Sequence, residues 1–183
     1  TTMEAMECSD DPVIFSHSNP AALWEVPRNI RDDQIRACAD SGGVVCVNGV
    51  DIFLGMDDDL IGLMLKHMAY VAELVGPEHV GIGTDYVVDA RGERGQFEQR
   101  PATLSDGSGN HSDRFNPMDV HLPAYLKASG GKTMGPNWRD CYYVGPGDFP
   151  ELTERLLKHG FSEREVCGIL GENIMGVAKK VWK

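Results

Sequence analysis

A histidine and an aspartate stand at the ends of two short, largely apolar runs in this chain. Residues 12–16 lead into His17, and residues 79–84 lead into Asp85. Short apolar runs bounded by turn residues are typical of buried strands. Such strands deliver their last side chains to the rim of a sheet or barrel, where ligands and metals bind. The two residues therefore predict an active-site rim that carries an imidazole and a carboxylate.

Each candidate residue also has an ordinary structural interpretation. His17 could ligate zinc through one ring nitrogen, or it could be a hydrogen-bonded histidine at the rim. Asp85 could ligate a metal or transfer a proton, or it could cap the turn that follows. Arg28, in the loop after the first strand, could clamp a carboxylate, or it could pair with Asp32 or Asp33 on the surface. The local sequence leaves both interpretations open at each position.

The remaining serines and histidines are weaker candidates. Side chains alternate along a strand, so we expect Ser16 to point away from His17, which argues against a Ser–His nucleophile pair. We expect His67 to pack beside the apolar stripe of a helix. The His/Asp pairs at 111–113 and 119–121 have the residue types of a metal site. They leave open a local zinc site in this segment, separate from the strand ends. Nothing rigid is predicted to orient them, because they lie in an irregular segment.

Three predicted strands alternate with predicted helices. The strands are expected at 12–17, 43–48 and 79–85, and the helices between them at 31–41 and from about 57 to 75. This order is typical of βαβ units around a parallel sheet, so the fold class is α/β. Three strands are too few for an open sheet with this many helices. A closed barrel of which this chain forms a part fits better.

The chain is expected to form a single partial barrel domain over 1–183. Within it, 86–147 is rich in Gly, Pro, Asn and Asp and lacks periodicity, which predicts a long irregular insertion or lid. Helical signals resume at Asp148 and again at Ser162, each followed three residues later by a glutamate, so 148–183 is predicted to hold C-terminal helices.

The composition limits the possible partners and compartment. With 28 acidic against 17 basic residues and a net charge of −11, a nucleic-acid surface is not expected. No apolar run is long enough to cross a membrane. Five lone cysteines without a CxxC pair favour a reducing, cytoplasmic setting, although a secreted parent stays open: Cys8, Cys38, Cys46, Cys141 and Cys167.

Taken together, the motifs resemble the C-terminal half of the membrane (renal) dipeptidase family of zinc metallopeptidases. The stretch 12–18 is similar to the metal-histidine strand of that family, and 79–85 is similar to its aspartate strand. The other similar blocks are 27–35 with 42–44, 67–70, 149–153, 169–173 and 181–182. The resemblance covers most of 12–85 and 147–182, in the order and spacing of the family.

The resemblance implies the C-terminal half of a (β/α)8 TIM-type barrel of the metal-dependent hydrolase kind. His17 would be a ligand in a two-zinc site, Arg28 would hold the carboxylate of a small dipeptide substrate, and Asp85 would transfer a proton. The implied activity is zinc-dependent hydrolysis of dipeptides.

Several family features are absent from the chain. The HxD strand, the bridging glutamate and the other zinc histidine of the family have no counterpart here, so we expect this chain to supply part of an active site and to be inactive alone. Its expected partner is the missing N-terminal half of the barrel, and a homo-oligomer is a further possibility. The alternative is a non-catalytic binding or assembly module on a barrel that has lost its metals, which the long irregular segment favours.

Overall fold

The computed structural model describes residues 2–55, 57–86 and 142–182. A short parallel sheet lies among helices, and three-residue 3₁₀ turns precede β2 and α5 at Pro77–His79 and Pro146–Asp148. The helices and strands in chain order are α1 (Thr2–Glu7), α2 (Asp32–Asp40), β1 (Val45–Val47), α3 (Asp51–Leu54), α4 (Leu60–Val75), β2 (Val80–Ile82), α5 (Phe149–His159), α6 (Glu163–Cys167) and α7 (Asn173–Val181).

The predicted parallel arrangement is confirmed. β1 pairs with β2 in parallel, with Val45 opposite Val80. The predicted first strand lies on the other side of β1 as a shorter feature, a single parallel bridge between Phe15 and Val45. There, the backbone N–H of Cys46 donates to the carbonyl of Phe15 at 2.8 Å. The three extended segments therefore run side by side in the order first segment, β1, β2.

The first extended segment is fixed to the end of α2. Ser41 Oγ accepts from the backbone N–H of Val13 at 3.2 Å, and Cys38 Sγ donates to the carbonyl of Val13 at 3.1 Å. A Cβ at Gly43 would overlap that same carbonyl oxygen, so only glycine allows the approach. Gly43, three residues after the end of α2, thus helps to position the segment that leads to His17.

α4 forms as its apolar stripe predicts. Asp59 begins the helix, because its carboxylate accepts from the backbone N–H of Gly62 at 3.1 Å. Met64, Met68 and Val71 are fully buried in the core. Burial of each such side chain contributes about 1.5–3 kcal/mol, which makes this stripe the main reason why α4 packs on the sheet.

The C-terminal helices begin where the sequence predicts them. Ser162 and Glu165 form the predicted capping box of α6, with Ser162 N donating to Glu165 Oε2 at 2.7 Å. Asp148 precedes α5 but caps the 3₁₀ turn before it, by accepting from Gly145 N at 2.9 Å. Arg155 on α5 pairs with Asp59 at 2.7 Å, which joins α5 to the start of α4.

Two helices were not predicted, α1 and α3. α1 lies before the first element that the sequence predicts, and its Met6 is buried against the core. α3 is a single turn in the loop after β1, and all four of its residues are buried. Both helices are too short for their periodicity to show in the sequence, and tertiary packing holds them.

Candidate active site at the strand ends

His17 follows the first extended segment at the carboxyl end of the sheet. The backbone N–H of Ser18 donates to Cys46 O at 2.9 Å, which fixes the chain on both sides of the histidine. Ser16 Oγ lies 2.7 Å from His17 Nδ1. The expectation that these side chains point apart is wrong, because the chain bends at both residues and strand alternation no longer applies.

The contact between Ser16 and His17 has a chemical consequence. When Nδ1–H donates to the serine oxygen, the lone pair of Nε2 is left for a ligand. A hydroxyl on one ring nitrogen is the kind of partner that orients a metal-binding imidazole. The half-buried His17 ring therefore has one nitrogen engaged and one suited to a metal.

Asp85 lies three residues beyond the end of β2, exposed and in an unusual backbone conformation. Its φ of 56° is in the left-handed region, and it is the one non-glycine residue with positive φ in the described ranges. Aspartate tolerates this region better than most residues do. Local backbone strain of this kind is often found at functional sites, where the surrounding structure maintains it.

The two strand ends approach each other closely at Gly83. A Cβ on Gly83 would overlap the carbonyl oxygen of Ser16, so the two backbones are in contact there. On its other side, Gly83 N donates to Val47 O at 3.0 Å, which keeps β2 paired with β1 to this level. The two backbones are therefore in contact one residue before His17 and two residues before Asp85.

Arg28 lies exposed in the loop between the first segment and α2. Its guanidinium carbon is 5.5 Å from the ring centroid of Phe53, in α3. The alternative surface pairs do not form, because both carboxylates are engaged elsewhere. Asp33 pairs with Arg31 at 2.8 Å, and Asp32 accepts from Tyr70 Oη at 2.9 Å.

Buried asparagines join the Arg28 loop to the loop after β1. Asn29 and Asn19 both donate from Nδ2 to the carbonyl of Phe53, at 2.9 and 3.1 Å. Asn19 Oδ1 in turn accepts from the backbone N–H of Asn48 at 3.0 Å. Sequence reasoning missed this network. The available signal was an asparagine in each loop that follows a strand, next to otherwise apolar runs.

Two atoms of this network have no hydrogen-bond partner within the described residues. They are Asn48 Nδ2, at the end of β1, and Asn29 Oδ1, beside Arg28. Buried polar atoms without partners are uncommon and costly, and an ordered water or a bound ion is one way in which such an atom is satisfied. Both lie on the side of the sheet that carries the candidate residues.

The segment around Tyr143 closes one side of this rim. Tyr143 pairs with Val50 in an antiparallel bridge, and Val144 N donates to Gly49 O at 2.9 Å. The rings of Tyr86 and Tyr143 meet edge to face at 6.3 Å between centroids. The start and the end of the predicted irregular region are thus neighbours at the carboxyl end of β1.

Three further titratable groups in the described core, one histidine and two cysteines, have structural roles. His67 is 1% exposed, its Nε2–H donates to the carbonyl of Leu54 at 2.9 Å, and burial lowers its pKa to about 4. Burial raises the pKa of Cys38 to about 11 and that of Cys46 to about 12, so both thiols stay protonated and unreactive. The prediction of a packed His67 is confirmed, and both of these cysteines are buried. The His/Asp pairs at 111–113 and 119–121 lie outside the described residues.

The described residues do not complete a metal site. Within 2–55, 57–86 and 142–182, no group of three or more His, Cys, Asp or Glu side chains is placed to hold a metal ion. A catalytic zinc needs three protein ligands, and His17 can supply one. Within the same ranges, no helix has the length and apolarity of a membrane span.

Comparison with known sequences identifies relatives of this chain. Residues 1–98 match the sequence profile of the family described as membrane dipeptidase (peptidase family M19). An uncharacterised dipeptidase of Schizosaccharomyces pombe is 37% identical over 98 residues, which cover 52% of this chain and 24% of that protein. The dipeptidase ataJ of Aspergillus terreus is 28% identical over 184 residues, which cover 99% of this chain and 33% of that protein. The chain thus spans about a quarter to a third of the length of these relatives.

Solved structures give the same picture of the fold. An amidohydrolase from Pseudomonas aeruginosa matches with a TM-score of 0.67 and 31% identity, over 100% of this chain and 49% of that one. A metallopeptidase from Rhodobacter sphaeroides, solved with a phosphinate mimic of the dipeptide L-Ala-D-Ala, matches with a TM-score of 0.59 and 22% identity, over 99% of this chain and 39% of that one. The second likeness supports the α/β fold alone.

Proposed function

The chain belongs to the membrane dipeptidase family, peptidase family M19, and from that premise we propose that it supplies the C-terminal part of the active site of a zinc-dependent dipeptidase. The three parallel segments would be adjacent strands of a (β/α)8 barrel, and an N-terminal half of the full-length protein would complete that barrel. The observation that carries the proposal is the close approach of the strand ends before His17 and Asp85, at the side of the sheet where such barrels bind ligands.

Arg28 would bind the terminal carboxylate of the dipeptide. A guanidinium recognises a carboxylate through two parallel hydrogen bonds, and its exposed position leaves it accessible to a ligand. The loop that carries it is fixed to the loop after β1 through Asn29. Binding at one end of the substrate would hold the scissile amide at a constant place, which is the main benefit of such a clamp.

Asp85 would move the proton that peptide cleavage requires. Hydrolysis of an amide needs a proton delivered to the departing amine, and a carboxyl group at the rim can take it from the attacking water and pass it on. The left-handed backbone at residue 85 sets the direction of this side chain away from the regular line of β2. The role therefore depends on a backbone conformation that few residue types tolerate.

His17 would be one ligand of the zinc site. The metal would supply Lewis-acid activation of the peptide carbonyl and of water. The described residues do not fit a complete site, since they provide this single candidate ligand, so the remaining ligands must come from elsewhere in the enzyme. The alternative function is a non-catalytic module on a barrel without metals, which the long irregular segment of the sequence favours.

Metal analysis of the full-length protein separates the two functions. The dipeptidase proposal predicts bound zinc and hydrolysis of dipeptides. His17→Ala should lower the zinc content and reduce kcat/KM by at least about a hundredfold. His159→Ala, on the exposed end of α5, is the matched control and should change neither quantity. A metal-free protein without dipeptidase activity would support the binding module instead.

A further inference from the structure

Phe53 contacts the Arg28 loop through both its ring and its backbone. The ring lies under the guanidinium at 5.5 Å, and the carbonyl oxygen accepts from the buried amides of Asn19 and Asn29. The phenylalanine is 7% exposed, whereas Arg28 is exposed. The buried aromatic ring of Phe53 thus lies beneath a cation that faces solvent.

We propose that Phe53 is the positioning residue that holds Arg28 ready for the substrate carboxylate. The inference rests on the proposed function, in which Arg28 binds that carboxylate. An arginine side chain has many rotamers, and ordering it on binding costs affinity. A contact that orders it beforehand lowers that cost.

A cation–π contact suits this role better than an ion pair would. A ring attracts the face of the guanidinium and leaves the N–H groups at its edge free for a ligand. A carboxylate neighbour would occupy those same donors. The nearby carboxylates are directed elsewhere, Asp33 to Arg31 and Asp32 to Tyr70. Among the residues that the structure describes, the surroundings of Arg28 therefore hold its position without using its hydrogen bonds.

The backbone that carries Phe53 is firmly held by hydrogen bonds. Trp24 Nε1 donates to the carbonyl of Ile52 at 3.0 Å, next to the carbonyl of Phe53 that the two asparagines share. These bonds link the Arg28 loop with α3, so the ring and the guanidinium are carried by one fixed unit. A change in the ring should therefore affect Arg28 and leave the backbone in place.

The test measures kinetics of the full-length enzyme on a dipeptide and on the same dipeptide with its terminal carboxylate converted to an amide. Phe53→Leu should raise KM for the dipeptide about two- to fivefold, as expected for one exposed cation–π contact, with kcat nearly unchanged. Cleavage of the amide should not change. Phe53→Tyr, which keeps the aromatic face, should behave as the wild type.

A double-mutant cycle shows whether Phe53 acts through Arg28. In an Arg28→Met background, Phe53→Leu should have no further effect on the ratio of dipeptide to amide cleavage. An equal loss on both substrates, or the same loss without Arg28, would overturn the inference. If Arg28→Met alters the ratio and Phe53→Leu does not, the positioning role fails alone. If Arg28→Met leaves the ratio unchanged, the proposed role of Arg28 fails as well.

Folding of the variants is checked by thermal unfolding. Phe53→Met replaces Phe53→Leu if the leucine variant does not fold, since methionine fills irregular space and also lacks an aromatic face. Retention of full dipeptide preference by Phe53→Met, in a folded enzyme, would contradict the proposal in the same way.

Discussion

His67 is a buried histidine that the fold keeps neutral. Its Nε2–H donates to Leu54 O, and its Nδ1 lies buried without a partner in the described part of the chain. Burial lowers its pKa from 6.5 to about 4. Between these two values the unfolded chain binds a proton that the folded chain does not, so folding weakens as the pH falls through this window.

The stability of the protein should therefore depend on pH through this residue. Its contribution is fully present above pH 6.5 and falls by about 2 kcal/mol on acidification to pH 5. Urea denaturation at both pH values measures the change. His67→Gln should reduce this pH dependence, whereas His159→Gln, at an exposed position, should retain it. Equal pH dependence in wild type and His67→Gln would show that other groups are responsible.

The sequence indicates which residues belong to the candidate site more readily than it indicates which residues surround them. His17 and Asp85 stand out because each ends an apolar run, and the structure places the two strand ends in contact at Gly83. Their catalytic roles stay predictions. The contact between Phe53 and Arg28 could not be read from the sequence, because it joins residues of two different loops and depends on the unpredicted helix α3.

At the scale of elements, Gly83 controls how the first segment and β2 meet. The missing side chain at this position lets the Ser16 carbonyl approach, and a Cβ there would overlap it. At this point the two backbones are in direct contact, with no side chain between them. Their spacing at the rim is therefore set by glycine.

Gly83→Ala should destabilise the protein by about 1–3 kcal/mol, since the segments must separate to admit a methyl group. Gly147→Ala is the matched control, because nothing lies within 4 Å of a Cβ there. Chemical denaturation of both variants measures the difference. An alanine at 83 that is as well tolerated as the one at 147 would contradict the close approach.

The long elements could be predicted from the sequence and the short ones could not. α4 has a sustained stripe and an aspartate cap, and its observed bounds, Leu60–Val75, lie within the predicted range. The first strand was predicted over 12–17 but pairs only at Phe15, because pairing depends on a neighbour's register, which the sequence of one strand does not contain. α3 is a single turn fixed by burial, which periodicity does not detect.

At the scale of the whole molecule, the described parts on either side of 87–141 come together. Gly49 N donates to Thr84 O at 3.2 Å and Gly49 O accepts from Val144 N at 2.9 Å, so one residue of the loop after β1 holds both sides. The ring of Tyr86 also lies against Gly145, where a Cβ would be 3.0 Å from it. The segment before 87 and the segment after 141 are therefore both hydrogen-bonded to the loop after β1.

Because the sequence predicts 87–141 to be part of an irregular insertion, its replacement by a glycine–serine linker of about six residues should leave the unfolding free energy within about 1 kcal/mol of the original, since loop length changes stability only slowly. Denaturation of the shortened protein measures this. Loss of cooperative unfolding would show that the replaced residues belong to the core.

The adjacency of Tyr86 and Tyr143 also bears on how such proteins diverge. The two tyrosine rings meet edge to face at 6.3 Å, so connecting segments of very different length can join these two positions. Lineages can then exchange or enlarge the sequence at this junction while the surrounding architecture is inherited unchanged, and designers can graft a foreign module at the same place.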